Sequence, residues 1–219
     1  MTEPPRAPSR LVHCADAREW LSAQTVLAGC SVVTSLPDAT ELPGMDQATW
    51  RSFFAAAAAL VLSRTPPDGV AIFYQTDIKR AGAWVDKGYL IQRAAEDAGA
   101  TLLFHKIVCT KAAGTATFGR AAYAHLLCFS RGLRANAARS TADVLPDAGE
   151  MTWVRAIGLT ACRAACSWVL EHTQTRTIVD PFCGVGTVLA VANELGMDAV
   201  GVELNQKRAR KARTLTLHA

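Results

Sequence analysis

The stretch IVDPFCGVGTVLAVANELGMDAVGVELN, from Ile178 to Asn205, constrains this chain more than any other. An apolar run stops at Asp180, Gly184 and Gly186 follow, an alanine- and valine-rich segment has helical composition, and a second apolar run closes on Glu203. Strand, glycine loop, helix and strand in that order make a βαβ unit, whose two strands must be parallel with the helix crossing one face. A parallel sheet needs helices on both faces. The residues before Ile178 therefore have to supply the remaining layers around a unit that comes last.

They have the composition for it. RLVHCADAREWL opens with apolar Leu11 and Val12 and leads into a helical turn. CSVVTSLPD is a β-branched run stopped by a proline, and DQATWRSFFAAAAALVLS, from Asp46 to Ser63, is an alanine-rich helix ended by TPPDG. The strand VAIFYQ follows. In WVDKGYLIQRAAEDAGA the apolar Trp84, Val85, Leu90, Ile91, Ala94 and Ala95 have broadly helical spacing, with Gly99 as the stop. TLLFHKIVC and AYAHLLCFSRG read as two strands, and TKAAGTATFGRA between them as a hairpin connection or a substrate contact. Residues 132–149 are poor in large apolar groups and read as mobile, and MTWVRAIGLTACRAACSWVLEHT reads as a helix. Strands alternating with helices predict a doubly wound α/β fold with a mostly parallel sheet.

Of the 219 residues 50% are apolar, enough for one sizeable core, so residues 1–9 are expected to be a disordered leader and 10–219 a single domain. The formal charge of +4 is compatible with an acidic partner without requiring one. Seven cysteines without a CxxC pair fit reduced thiols in the cytoplasm. Cys162 and Cys166 share a helix face with no second pair to complete a metal site, so no metal is expected. The apolar run FFAAAAALVL, about ten residues, is too short to span a bilayer.

The glycines of DPFCGVGT let a ligand approach the backbone, and Glu203, about twenty residues further on, suits a carboxylate accepting ribose hydroxyls. Asp180 at the loop entrance would repel a pyrophosphate, and no GKT or GKS follows the glycines. A cofactor with a cationic tail is favoured instead, and S-adenosylmethionine combines ammonium and sulfonium charges with a ribose.

DPFCGVGTVLAVANELGMDAVGVELNQKRARKA resembles the cofactor segment of nucleic-acid amino-methyltransferases, with Val185 in place of a serine. The resemblance implies that Asp180, Phe182, Gly184, Gly186, Thr187 and Glu203 hold S-adenosylmethionine. One group of that family is circularly permuted, with its catalytic strand near the N-terminus, its cofactor loop near the C-terminus and a sheet assembled from both. This arrangement accounts for a nucleotide-binding unit that comes last, and implies a Rossmann-like sheet with an antiparallel strand near one edge. Within it, Asp16 corresponds to the aspartate that binds the adenine amino group.

SLPD stands where the family has its catalytic motif, a polar residue followed by PPY or PPF. The alignment puts Ser35 at the polar position, Leu36 and Pro37 at the prolines and Asp38 at the aromatic ring that stacks on an extruded base. An exocyclic amino nitrogen is a poor nucleophile until its two hydrogens are accepted and its lone pair is freed. Ser35 and the Leu36 carbonyl could do that. Asp38 cannot stack; it reads as an acceptor for a base edge or as a general base. In YQTDIKRAG, Gln75, Asp77 and Lys79, together with Arg120, are candidates for substrate binding, at the sheet edge where open α/β folds bind ligands. His105 and His125 lie within strands and read as core histidines. The chain has little room for a separate recognition domain, so structured RNA is expected ahead of DNA. A small molecule or protein as methyl acceptor, a non-catalytic cofactor-binding subunit, and a homodimer or partner protein remain open.

Overall fold

The computed structural model describes residues 6–42 and 44–217. In chain order the strands are β1 (Arg10–His13), β2 (Cys30–Thr34), β3 (Ala71–Gln75), β4 (Ile78–Arg80), β5 (Ala83–Val85), β6 (Thr101–Cys109), β7 (Tyr123–Ser130), β8 (Val144–Leu145), β9 (Thr177–Asp180) and β10 (Asp198–Val202). The helices are α1 (Ala17–Ser22), α2 (Gln47–Arg64), α3 (Lys87–Asp97), α4 (Leu159–His172), α5 (Thr187–Glu194) and α6 (Gln206–Thr214).

Eight strands form one sheet in the order β1-β10-β9-β2-β3-β7-β6-β8, and β4 and β5 make a separate hairpin. All neighbours are parallel except β7, which runs antiparallel to both β3 and β6. Strands from the two parts of the chain interleave: β10 pairs with β1, and β9 with β2. This is the permuted, doubly wound sheet expected from the sequence. From β9 the chain winds outward through α5 to β10, and from β2 the other way through α2 to β3, which makes the β9/β2 junction the topological switch point.

The helices divide between the two faces. Trp50, Phe54, Ala57, Ala58, Val61 and Leu62 recur at helical spacing on α2 and are buried with Leu21 of α1 and Ile91 of α3 against Val32, Phe73 and Phe129 of the sheet. On the other face Cys162, Ala165 and Val169 of α4, Val188 and Leu189 of α5, and Ala209 and Ala212 of α6 pack on Ile72, Leu126 and Ile178. Burying a side chain such as Phe54 contributes roughly 1.5–3 kcal/mol.

Three segments differ from the sequence reading. The third helix starts at Lys87 instead of Trp84, because Asp86 accepts from the Tyr89 N–H as its N-cap and the turn at Ala81 (φ 48°) and Gly82 (φ 75°) folds Trp84 and Val85 back on Ile78 and Lys79. Residues 132–149 hold a 3₁₀ turn at Ala137–Arg139 and the strand β8, which extends the sheet beside β6. The next helix begins only at Leu159, leaving Met151–Ile157 as an irregular strap. Residues 1–5 of the expected leader lie outside the described residues; Arg6 and Ser9 are tied to Asp198. Among the described residues no helix is long and apolar enough to cross a membrane.

Candidate functional site

A cleft of about 210 Å³ opens at the C-terminal ends of β1, β10, β9 and β2, over the switch point. It is lined by Asp16, Ser35, Leu36, Pro37, Asp180, Phe182, Gly184, Thr187 and Glu203, which the sequence singles out. Glu41, Phe53, Trp153, Arg155 and Arg208 also line it.

Its three strand-end carboxylates share one pattern of hydrogen bonds. Asp16 caps α1, where Oδ1 accepts from the N–H of Arg18 (2.8 Å) and Glu19 (3.1 Å). Asp180 ends β9, where Oδ1 accepts from Thr34 Oγ1 (2.7 Å) and the Phe182 N–H (3.1 Å). Glu203 follows β10, where Oε1 accepts from the Asn205 N–H (2.7 Å) and from Nε and Nη2 of Arg208 (3.0 and 2.8 Å). One oxygen of each carboxylate fixes the local backbone, and among the described residues the other takes no hydrogen bond. Burial pushes the Asp180 carboxyl up to about 7, the Glu203 charge adding to the rise and the Thr34 and Phe182 bonds opposing it.

The two glycines of the loop do different jobs. Gly184 (φ 55°) would place a Cβ in open space, whereas at Gly186 (φ 89°) a Cβ would stand 2.8 Å from Ala212 Cα. Gly184 leaves the loop open on the cleft side, and Gly186 lets α6 approach the start of α5. The strap 151–157 crosses the cleft and is fastened by Thr152 to Thr187, by Arg155 to Glu41 (3.3 Å), and by Trp153 beneath the Arg208 guanidinium (5.7 Å). Trp153 and Arg155 are absent from the sequence-derived set because the periodicity there predicts a continuous helix.

The SLPD segment divides at Pro37. Ser35 and Leu36 face the cleft, and the Leu36 carbonyl also accepts from Gln75 Nε2 at 3.4 Å. Asp38 does not line the cleft. Its Oδ2 meets Lys87 Nζ and Arg120 Nη2, each at 3.0 Å, and its Oδ1 accepts from the Thr40 N–H. Burial pushes the Asp38 carboxyl up, but Lys87, Thr40 and Arg120 outweigh it and hold it below the usual carboxylate range. Both oxygens are engaged within the protein, the arrangement of an anchor rather than of the free base-edge acceptor or general base read from the sequence.

From Lys87 a buried network continues away from the cleft. The Lys87 N–H donates to Asp77 Oδ1 (2.8 Å), His125 Nε2 to Asp77 Oδ2 (2.9 Å), and His125 Nδ1 meets His105 Nε2 at 2.8 Å. Gln75 and Asp77, read from the sequence as candidates for substrate binding, are buried. Lys79 donates to the Thr117 carbonyl and covers Trp84. That bond, with the Lys79 N–H to the Gly119 carbonyl and the bridge between Ile78 and Arg120, joins the β4–β5 hairpin to the loop 110–122. The joined surface presents half-exposed Arg120, Trp84 and, 93% exposed, Phe118. Lys106 and Arg131 donate to the carbonyls of Ala142 and Thr65.

Residues 169–214 match a family model described as DNA methylase. No curated protein sequence matches the chain. A protein of Thermus thermophilus, assigned by its name to the DNA modification methylases, superposes with a TM-score of 0.72 at 19% identity, over 93% of this chain and 92% of that one. The same protein complexed with S-adenosyl-L-methionine gives 0.69 at 20% identity, over 93% and 91%. The PvuII cytosine-N4-specific DNA methyltransferase gives 0.71 at 15% identity, over 96% and 89%. The fold is that of the S-adenosylmethionine-dependent amino-methyltransferases.

Proposed function

We propose that this enzyme transfers a methyl group from S-adenosylmethionine to an exocyclic amino group of a nucleic-acid base. The observation that carries the reading is the row of three carboxylates at the ends of β1, β10 and β9, each with one oxygen committed to the fold and the other without a hydrogen bond among the described residues, around a single cleft. These residues fit the cofactor. Asp180 suits its ammonium group, Glu203 its ribose hydroxyls and Asp16 its adenine amino group, while Phe182, Gly184 and Thr187 shape the wall between them.

When bound, S-adenosylmethionine supplies a methyl group on a positively charged sulfur, which is open to in-line displacement. The chain's own part is to prepare the nucleophile. Ser35 Oγ and the Leu36 carbonyl accept the two amino hydrogens, freeing the nitrogen lone pair; the carbonyl has a second lone pair besides the one directed at Gln75. Asp38 anchors the segment through Lys87 and also pairs with Arg120.

The names of the matched proteins point to DNA. Size does not separate the two substrates, since this chain covers 89–92% of those structures. The finer reading is a base that is already unpaired, in structured RNA, because the buried Asp38 offers no ring to receive a base flipped from a duplex. Such an enzyme would work in the cytoplasm.

The test incubates the purified protein with labelled S-adenosylmethionine and with RNA, duplex DNA and protein from a strain lacking the gene. Label in RNA or DNA that disappears in a Ser35→Ala variant is expected. Label confined to protein, or unchanged in that variant, overturns the reading.

A further inference from the structure

The β4–β5 hairpin and the loop 110–122 make one surface, held by a short antiparallel ladder. The Asp77 carbonyl accepts from the Ala121 N–H (3.3 Å) and the Gly119 carbonyl from the Lys79 N–H (2.9 Å), with Ile78 and Arg120 opposite each other between them. One step further in the same register the facing positions are Arg80 and Phe118. Lys79 Nζ fixes this end by donating to the Thr117 carbonyl (2.7 Å), and it lies 4.8 Å from the centre of the Trp84 ring. Arg120 Nη2 reaches Asp38 at 3.0 Å, which ties the surface to the SLPD segment.

The surface presents rings and positive charge. Phe118 is 93% exposed, more than any other large apolar side chain among the described residues, and Trp84 is 47% exposed. Residues 78–85 and 110–122 contain Lys79, Arg80, Lys111 and Arg120 and no carboxylate. The acidic groups joined to them do not cancel this charge. Asp77 is buried and paired with His125, and Asp38 is shared between Lys87 and Arg120, a cluster that stays net positive. Asp86, the next residue after the hairpin, caps α3. The side chains of Arg80 and Lys111 are exposed and make no hydrogen bond or ion pair among the described residues. A single exposed ring is ordinary on a protein surface. A ring facing a guanidinium on segments without acids has a specific complement. An unpaired nucleic-acid strand offers base faces that stack on rings and phosphates that meet cations, whereas a duplex hides its base faces.

We propose that this surface binds an unpaired stretch of the nucleic-acid substrate, with a base stacked on Phe118 and phosphates on Arg80 and Lys111. The inference rests on the proposed nucleic-acid substrate and adds where the strand is held. Phe118 does not line the cleft, so the base it stacks is a neighbour of the one that is methylated. The surface therefore sets grip on the strand and leaves the methyl-transfer step to the cleft.

The test reads binding in the absence of S-adenosylmethionine, so its result stands apart from whether a methyl group is transferred. The full chain is titrated into a short labelled RNA strand of mixed sequence, a DNA strand of the same sequence and the duplex of each, with fluorescence anisotropy followed at several salt concentrations. At least one single strand is expected to bind more than about tenfold tighter than its duplex, and the tighter of the two strands names the substrate. Phe118→Leu, apolar but without a ring, should weaken that binding about 5–150-fold at an unchanged salt slope, and Phe118→Trp should keep it. Arg80→Ala should reduce the slope of log K against log salt by about 0.7, the share of one phosphate on a single strand. No nucleic acid bound at micromolar concentrations, duplexes bound as tightly as both single strands, wild-type affinity in Phe118→Leu, or an unchanged slope in both Arg80→Ala and Lys111→Ala overturns the proposal. A strand held in the expected way but never methylated supports the surface and counts against the methyl-transfer reading alone.

Discussion

Replacing Asp38 by Asn separates its role as an anchor from any part in chemistry. The substitution keeps the shape and the acceptor for the Thr40 N–H and removes only the charge. Lys87, with 2% of its side chain exposed, would then remain as a buried ammonium without its partner at 3.0 Å. Coulomb attraction at that distance is about 5 kcal/mol for an effective dielectric of about 20, and removing one member of a buried pair costs roughly 3–5 kcal/mol. Arg120, half exposed, adds little to this. Against a total stability of about 10 kcal/mol, the urea midpoint should fall by about a third to a half at unchanged m-value. Asp38→Asn combined with Lys87→Met should recover most of the loss, because neither charge stays buried. The sign with pH is fixed by the depressed carboxyl: its stabilisation is present above the unfolded value of about 3.9 and lost as pH falls through the folded one. The gap between wild type and variant should therefore close in acid. A midpoint close to wild type together with lost turnover would refute the anchor and return Asp38 to the reaction.

Four other outcomes follow. Asp180, raised to about 7, is largely neutral below that pH, so affinity for S-adenosylmethionine should strengthen from about pH 6 to 8 with proton release, and calorimetry should find it flat in Asp180→Asn. The same shift means that the native state binds a proton the unfolded chain has lost between about pH 4 and 7, so stability should fall with rising pH across that window in wild type and not in the variant. Gly186→Ala forces a Cβ into the α6 backbone and should destabilise clearly more than Gly184→Ala, for which the left-handed conformation alone costs about 1–2 kcal/mol; paired urea melts compare them. Phe118→Ala should leave the melt within about 0.5 kcal/mol and raise KM for nucleic acid at constant kcat, whereas an unchanged KM would remove the loop 110–122 from the substrate face.

The βαβ unit at residues 178–205 is legible because its signals are local: glycines between apolar runs and an acidic strand end at a fixed spacing. Asp46 and Asp86 mark their helix starts with the side chain that caps them, yet Trp84 and Val85 fit the period of the helix after Asp86 and draw its expected start back to Trp84. The strap misleads for the same reason, since Trp153, Val154 and Ile157 match a helical face that tertiary tethers override. What sequence cannot supply are partners far along the chain. Lys87 stands 49 positions from Asp38 and His125 stands 48 from Asp77, and neither pairing has a local pattern.

The interleaved strand order sets a schedule for synthesis. β9 and β10 leave the ribosome after the other described strands, yet they fill the gap between β1 and β2. A nascent chain that has reached α4 can already zip β2, β3, β7 and β6 together, but one side of β2 still carries open backbone groups next to apolar Val32 and Val33. Such an edge invites pairing with other chains, so the interval before the last strands emerge is when a chaperone would matter most. Of the described strands, β1 is translated first and is the last to find a neighbour.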